Sequence, residues 1–137
     1  EYIVSSSDPD YPAARVMFCL RRRADQTREQ MFAYWLVSHG KLAAGLAAKL
    51  GYAQYDQVHS DWGDRVSSVA ETLGASHLRR YDGVASLTYP DKASLFKRFL
   101  GLEAQDANLR LIEDEFNFVD GQKLGVVLGE QAILYGG

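Results

Sequence analysis

The apolar positions along the chain change period several times, and each change marks an element. In RVMFCLRRR, residues 15–23, Val16, Phe18 and Leu20 alternate with Met17 and Cys19, so both parities are apolar. That pattern predicts a strand covered on both faces. From Thr27 the spacing becomes three and four: Phe32, Trp35, His39, Leu42, Leu46 and Leu50 make one stripe, as in a helix with a single buried side. Thr27 followed three residues later by Gln30 fits a capping box, and Glu29 suits the positive end of the helix dipole. Gly51 stands where a C-terminal cap belongs.

Residues 52–62 (YAQYDQVHSDW) return to alternation, with Tyr55, Gln57 and His59 on one face, and DWGD then turns the chain. Val66, Val69 and Leu73 predict a short inserted helix over 65–78. YDGVASLTYP, 81–90, reads as a strand stopped by Pro90. Asp91 is placed to cap a helix that buries Leu95, Phe96 and Phe99. A further helix, from about Ala104 to Val119, carries Leu109, Ile112, Phe116 and Val119 on one side. KLGVVLGEQAILY closes the chain as a strand containing two glycines.

The order strand, helix, strand, strand, helix, strand is the split βαβ arrangement of a ferredoxin-like sandwich, an α+β fold. Residues 1–14 read as a polar lead-in and residues 15–137 as one domain. The helices can cover one sheet face, yet the first and last strands are apolar on both parities (Val127 and Ile133 against Val126, Leu128 and Leu134). A homodimer whose two sheets close into an α/β barrel would cover the second face.

Composition narrows the function classes. A chain of 137 residues with 47% apolar and 24% charged residues can bury a core of its own. A net charge of -3, with Arg21, Arg22 and Arg23 as the one basic cluster, speaks against a nucleic-acid partner. Cys19 is the single cysteine, which rules out an internal disulfide and points to a reducing, cytoplasmic location. No apolar run approaches the roughly 20 residues of a membrane span, and no leader signature opens the chain.

Five separated motifs, CLRRR, FAYWLVSHG, YDQVH, YDGVASL and DEFNFVD, occur in an order and spacing that resembles the EthD domain family. The resemblance covers about residues 15–135 and implies the dimeric α/β barrel. Within that family the chain looks most like the small cofactor-free decarboxylases of polyketide carboxylic acids. Ser86 and Thr88 stand where many of those relatives carry an acidic residue and an aromatic. Cyclases, lactone isomerases and quinone-forming oxygenases are further relatives of the same barrel.

His39 is the foremost chemical candidate. An imidazole on an apolar stripe must find a partner or face a wet cavity, because an unpaired buried polar group costs about 1 to 3 kcal/mol. Gly40 beside it costs a further ~1 kcal/mol of helix propensity relative to Ala. His39 is either a satisfied core histidine or a pocket residue that transfers protons near its ordinary pKa. Tyr55 and His59 on the strand face complete the catalytic candidates. Phe32, Trp35, Gln57, Asp82 and Glu130 are the candidates for lining a substrate pocket, and Asp120 reads as a structural cap. The alternatives are a packed tryptophan, a solvated strand face, a turn-forming Asp82 and an outward-turned Glu130. His39, His59 and His77 fit no metal-ligand spacing, and no phosphate loop or nucleophile elbow is present, so no metal or organic cofactor is expected. The expected activity is that of a cofactor-independent lyase, a decarboxylase of an aromatic or polyketide-derived carboxylic acid. A cyclase or dehydratase, a cofactor-free oxygenase, or noncatalytic binding of a small hydrophobic metabolite are the alternatives.

Overall fold

The computed structural model describes residues 13–60, 63–74 and 81–131. Strand β1 (Ala14–Leu20) leads into one long helical run made of α1 (Arg28–Ala33), a π-helical turn (Tyr34–His39) and α2 (Gly40–Leu50). Strand β2 (Gln54–His59), the inserted helix α3 (Asp64–Thr72) and strand β3 (Gly83–Tyr89) follow. Helices α4 (Lys92–Leu100) and α5 (Gln105–Glu115) then lead to strand β4 (Gly125–Glu130). The sheet order is β2-β3-β1-β4 with every pairing antiparallel, the ferredoxin-like α+β arrangement. His77, Ile133 and Leu134 lie outside the described residues, as does nearly all of the lead-in.

The local signals act as their chemistry requires. Thr27 and Gln30 bond reciprocally in a capping box, and Gly51 closes the helical run with φ of 74°. Asp91 accepts from the Ser94 amide to start α4, and Asp120 accepts from the Gln122 amide. Register then sets the faces: Val16 opposes Leu87 and Leu128, and Leu87 opposes Tyr55. Ala14, Val16, Leu87 and Tyr89 form one core cluster with Ala43, Leu46, Leu50, Leu95, Ala107 and Leu111. Leu20, Ala85, Met31, Trp35 and Phe118 form a second.

Two helical stripes differ from the sequence expectation. In α4, Leu95 and Arg98 point inward while Phe96 and Phe99 are about half exposed; in α5, Ala107 and Leu111 point inward while Leu109, Ile112 and Phe116 stay exposed. The cause is polar satisfaction between elements. Arg98 is held by the Tyr89 hydroxyl at 2.7 Å and by Asn108 at 3.1 Å, so its phase wins over the bulkier aromatic one. Val66, Val69 and Leu73 on or beside α3 are likewise exposed. Val126, Val127 and Leu128 of β4 are each about half exposed, so both faces of this edge strand remain open in the single chain.

Gly83 of β3 allows a close approach between the helix and the sheet. A Cβ there would stand 2.6 Å from both Trp35 Cζ3 and the Val58 carbonyl oxygen. Gly83→Ala is therefore expected to cost about 1 to 3 kcal/mol, the range for forcing an added methyl into a packed site. Urea unfolding checks it, and an unchanged midpoint would mean that the indole does not rest on this strand.

Candidate active site

The site begins with a defect in the helix. Across Tyr34–His39 the ladder shifts so that the Gly40 amide donates to the Trp35 carbonyl, five residues back. Such turns widen a helix and recur at functional positions. The Trp35 carbonyl is also reached by Gln57 Nε2 at 2.9 Å. Gly40 leaves room for that approach: a Cβ there would lie 3.3 Å from both Gln57 Nε2 and the Trp35 oxygen. The costly glycine thus allows strand β2 to lock onto the helix.

The same turn carries His39, which is 5% exposed. Its Nδ1–H donates to Asp114 Oδ2 at 2.8 Å, while the Tyr34 hydroxyl donates to Asp114 Oδ1 at 2.7 Å and is itself bonded by Asn117 at 3.0 Å. An acceptor at Nδ1 fixes the tautomer and leaves the Nε2 lone pair for a second partner. Burial pulls the His39 pKa below its ordinary value against the opposing pull of Asp114. A neutral imidazole oriented by a carboxylate is the arrangement of a general base.

A second chain of bonds runs along β2. His59 Nε2 donates to Gln57 Oε1 at 3.1 Å, and Gln57 Nε2 donates to the Tyr55 hydroxyl at 3.0 Å. Trp35 Nε1 also donates to that hydroxyl, at 2.9 Å. Tyr55 therefore accepts twice, and its own proton is left to donate. Burial raises its pKa, so the phenol stays protonated at neutral pH.

His39, Tyr55 and Trp35 line one small chamber together with Phe18, Arg98, Leu111 and Glu115. Its free space is about 20 Å³, room for a single water-sized group. On the other side of Phe18, Arg98, Leu111 and Glu115 lies a groove of about 650 Å³, walled by Phe99, Leu109, Ile112 and Phe116. The misphased apolar stripes of α4 and α5 are thus the walls of this groove. Burial pushes the Glu115 carboxyl up to about 7, with Arg98 pulling down and Asp114 pushing up more weakly. Among the described residues it makes no hydrogen bond or ion pair. A carboxyl that exchanges its proton near neutrality, on the wall of a cavity, is suited to acid-base work.

A family model for the EthD domain matches residues 23–122. The chain belongs to the EthD domain family. Solved structures support the fold of this EthD domain at low identity. An EthD family protein from Bacillus halodurans C-125 aligns over 88% of this chain and 99% of its own, with TM-score 0.55 and 14% identity. A dimeric ferredoxin-like protein from Jannaschia sp. CCS1 covers 87% and 99%, with TM-score 0.53 and 16% identity. The hydroxynitrile lyase from Passiflora edulis covers 91% and 98%, with TM-score 0.57 and 12% identity. No curated protein matches the sequence.

The EthD domain does not gather all of the sequence candidates. His59 stacks between Phe32 (4.4 Å) and Trp35 (4.8 Å), behind the indole that walls the chamber, and neither His59 nor Phe32 lines it. Gln57 positions Tyr55 and also stays outside the chamber wall. Asp82 is buried under β1, accepting from the Arg22 amide at 2.9 Å with the Arg22 and Arg28 guanidiniums each 3.7 Å away, so it braces the turn before β3. Glu130 pairs with Lys92 at the sheet edge. Asp114, Glu115 and Arg98 are the site residues that sequence reasoning passed over. The signal was present: DEFNFVD holds both acids, and Ala104, Ala107, Leu111 and Glu115 recur at helical spacing.

Proposed function

We propose that this EthD domain is a cofactor-independent lyase that decarboxylates an aromatic or polyketide-derived carboxylic acid. The observation that carries it is the His39–Asp114 pair, with Nε2 left for a chamber shared with Tyr55 and Glu115. The apolar groove takes the body of the substrate, and its reacting edge enters the chamber only as the side chains of Phe18, Arg98 and Glu115 part, because the chamber otherwise holds a single water-sized group. His39 Nε2 takes the proton of a substrate hydroxyl and returns it to the ring carbon that bears the carboxylate. The ring is then a ketone, and the carbon–carboxyl bond breaks with its electron pair flowing toward the ketone oxygen. Tyr55 donates to that oxygen as charge builds, and Glu115 supplies the proton that restores the hydroxyl as carbon dioxide leaves. One proton is consumed, and Glu115 recovers it from solvent through the groove. The Passiflora fold-mate, itself a lyase, supports bond-breaking of this kind on the scaffold.

The test is to incubate the protein with hydroxylated naphthoic and anthracene carboxylic acids in deuterated water. Carbon dioxide release with deuterium at the vacated carbon supports the proposal. Binding of the acids with neither outcome would leave a carrier of small hydrophobic metabolites.

The domain works as a homodimer that covers the open edge strand β4. Half-exposed Val126, Val127 and Leu128 and the dimeric Jannaschia fold-mate support this. Sedimentation is expected to give the mass of two chains at micromolar concentration, as obligate interfaces bury upward of about 2,000 Å². A stable single-chain species would overturn it.

A further inference from the structure

Arg98 is a cation 7% exposed, inside a helix pair, facing two cavities at once. Its Nε and Nη1 are engaged by Asn108 and the Tyr89 hydroxyl, and Asn108 Nδ2 closes the loop by donating to the Arg98 carbonyl at 2.7 Å. No carboxylate lies within ion-pair distance of it among the described residues, Glu115 on the same walls being near enough only to have its pKa lowered by the guanidinium, and Nη2 makes no hydrogen bond there. A buried guanidinium normally has an anionic partner, because desolvating an unpaired charge is costly. Neutral partners hold Arg98 in a fixed orientation instead, with one edge of its fork left over. That edge belongs to a residue on the wall of a 650 Å³ apolar groove.

We propose that Arg98 is a specificity-determining residue that binds a carboxylate on an elongated aromatic ligand lying in the groove between α4, α5 and Phe18 of β1. The aromatic body packs on Phe99, Leu109, Ile112 and Phe116, and the carboxylate takes the free Nη2 edge. The proposal rests on reading the chamber beyond Arg98 as the reaction site, and it adds a feature to the substrate. A guanidinium bonded to the departing carboxylate would stabilise the ground state more than the transition state and slow the loss of carbon dioxide. The carboxylate held by Arg98 is therefore one that the product keeps, so the substrate bears a second acidic group away from the reacting carbon.

Calorimetric titration with 2-naphthoate and its neutral isostere 2-naphthamide tests this without turnover. The wild-type protein is expected to bind the acid about tenfold to a hundredfold more tightly than the amide, the range for a charge-assisted hydrogen bond. Arg98→Met is expected to abolish that preference, and Arg98→Lys to retain part of it because the charge remains and the fork is lost. Equal affinities for acid and amide in the wild type, or no binding of either at millimolar concentration, would overturn the proposal. So would a preference surviving in a folded Arg98→Met variant. Should that variant fail to fold, the wild-type comparison and Arg98→Lys still decide. His39→Asn is expected to keep the preference, so a failure of the lyase chemistry and a failure of anion recognition are separate results.

Discussion

His39→Asn is expected to lower single-turnover rate by about 10² to 10⁴, or about 3 to 5 kcal/mol of transition-state stabilisation, the usual worth of a positioned acid-base group. The same change removes the donor to Asp114 Oδ2 and costs stability as well, by about 1 to 3 kcal/mol. Rate and unfolding free energy must therefore be measured together. His59→Asn is the control, since its ring lies behind Trp35, and its turnover is expected to stay within a few-fold of the parent. A folded His39→Asn variant with near-normal turnover would transfer the chemistry elsewhere. The pH profile carries a second check. His39 must be neutral to accept a proton, and burial holds its pKa below 6.5, so the acidic limb falls below that value. The basic limb falls near 7 as Glu115 loses the proton it donates.

Glu115→Gln is expected to stabilise the protein above neutrality while lowering its turnover. The folded-state pKa of Glu115 is raised from 4.5 to about 7, so between those values the native state holds more protons than the unfolded one. By linkage, stability then falls as pH rises through that window, and the full penalty, on the order of 3 kcal/mol, applies above it. Glutamine mimics the protonated acid and carries no such penalty. Urea unfolding should find the variant more stable than the parent at about pH 8 and equal to it at about pH 4.5. His39, Asp114, Tyr55 and Arg98 act on the same site in both proteins, so the difference between variant and parent isolates Glu115. An equal gap at both pH values would show that the carboxyl is not destabilised by burial. A position where the native residue weakens the fold is the pattern of a residue kept for chemistry.

The histidine stripe shows how far one-dimensional pattern reaches. Spacing alone placed Phe32, Trp35, His39, Leu42, Leu46 and Leu50 along one helix side; Trp35, His39, Leu46 and Leu50 are buried, and Phe32 and Leu42 are partly buried. Yet His39 and Trp35 come to face one chamber across a π-helical turn that no spacing rule anticipates. The turn is stabilised from outside the helix, by Gln57 on the Trp35 carbonyl. Glu115 was missed for a related reason. Both phases of α5 carry apolar residues, and the bulkier one, with Leu109, Ile112 and Phe116, outweighed the phase that the core uses.

What the amino-acid sequence determined by itself was local and periodic. Capping chemistry at Thr27, Gln30, Gly51 and Asp91 set the helix ends, alternation set the strands, and the element order set the ferredoxin-like α+β topology, since each depends on neighbours within a few residues. Tertiary structure alone decided which acid reaches which base. Asp114 lies 75 residues from His39 and meets it at 2.8 Å, and Tyr89 and Asn108 turn Arg98 inward across two elements. The physical reason is that hydrogen-bond satisfaction and desolvation depend on what lies opposite in space, and helix phase yields to them whenever two faces are comparably apolar.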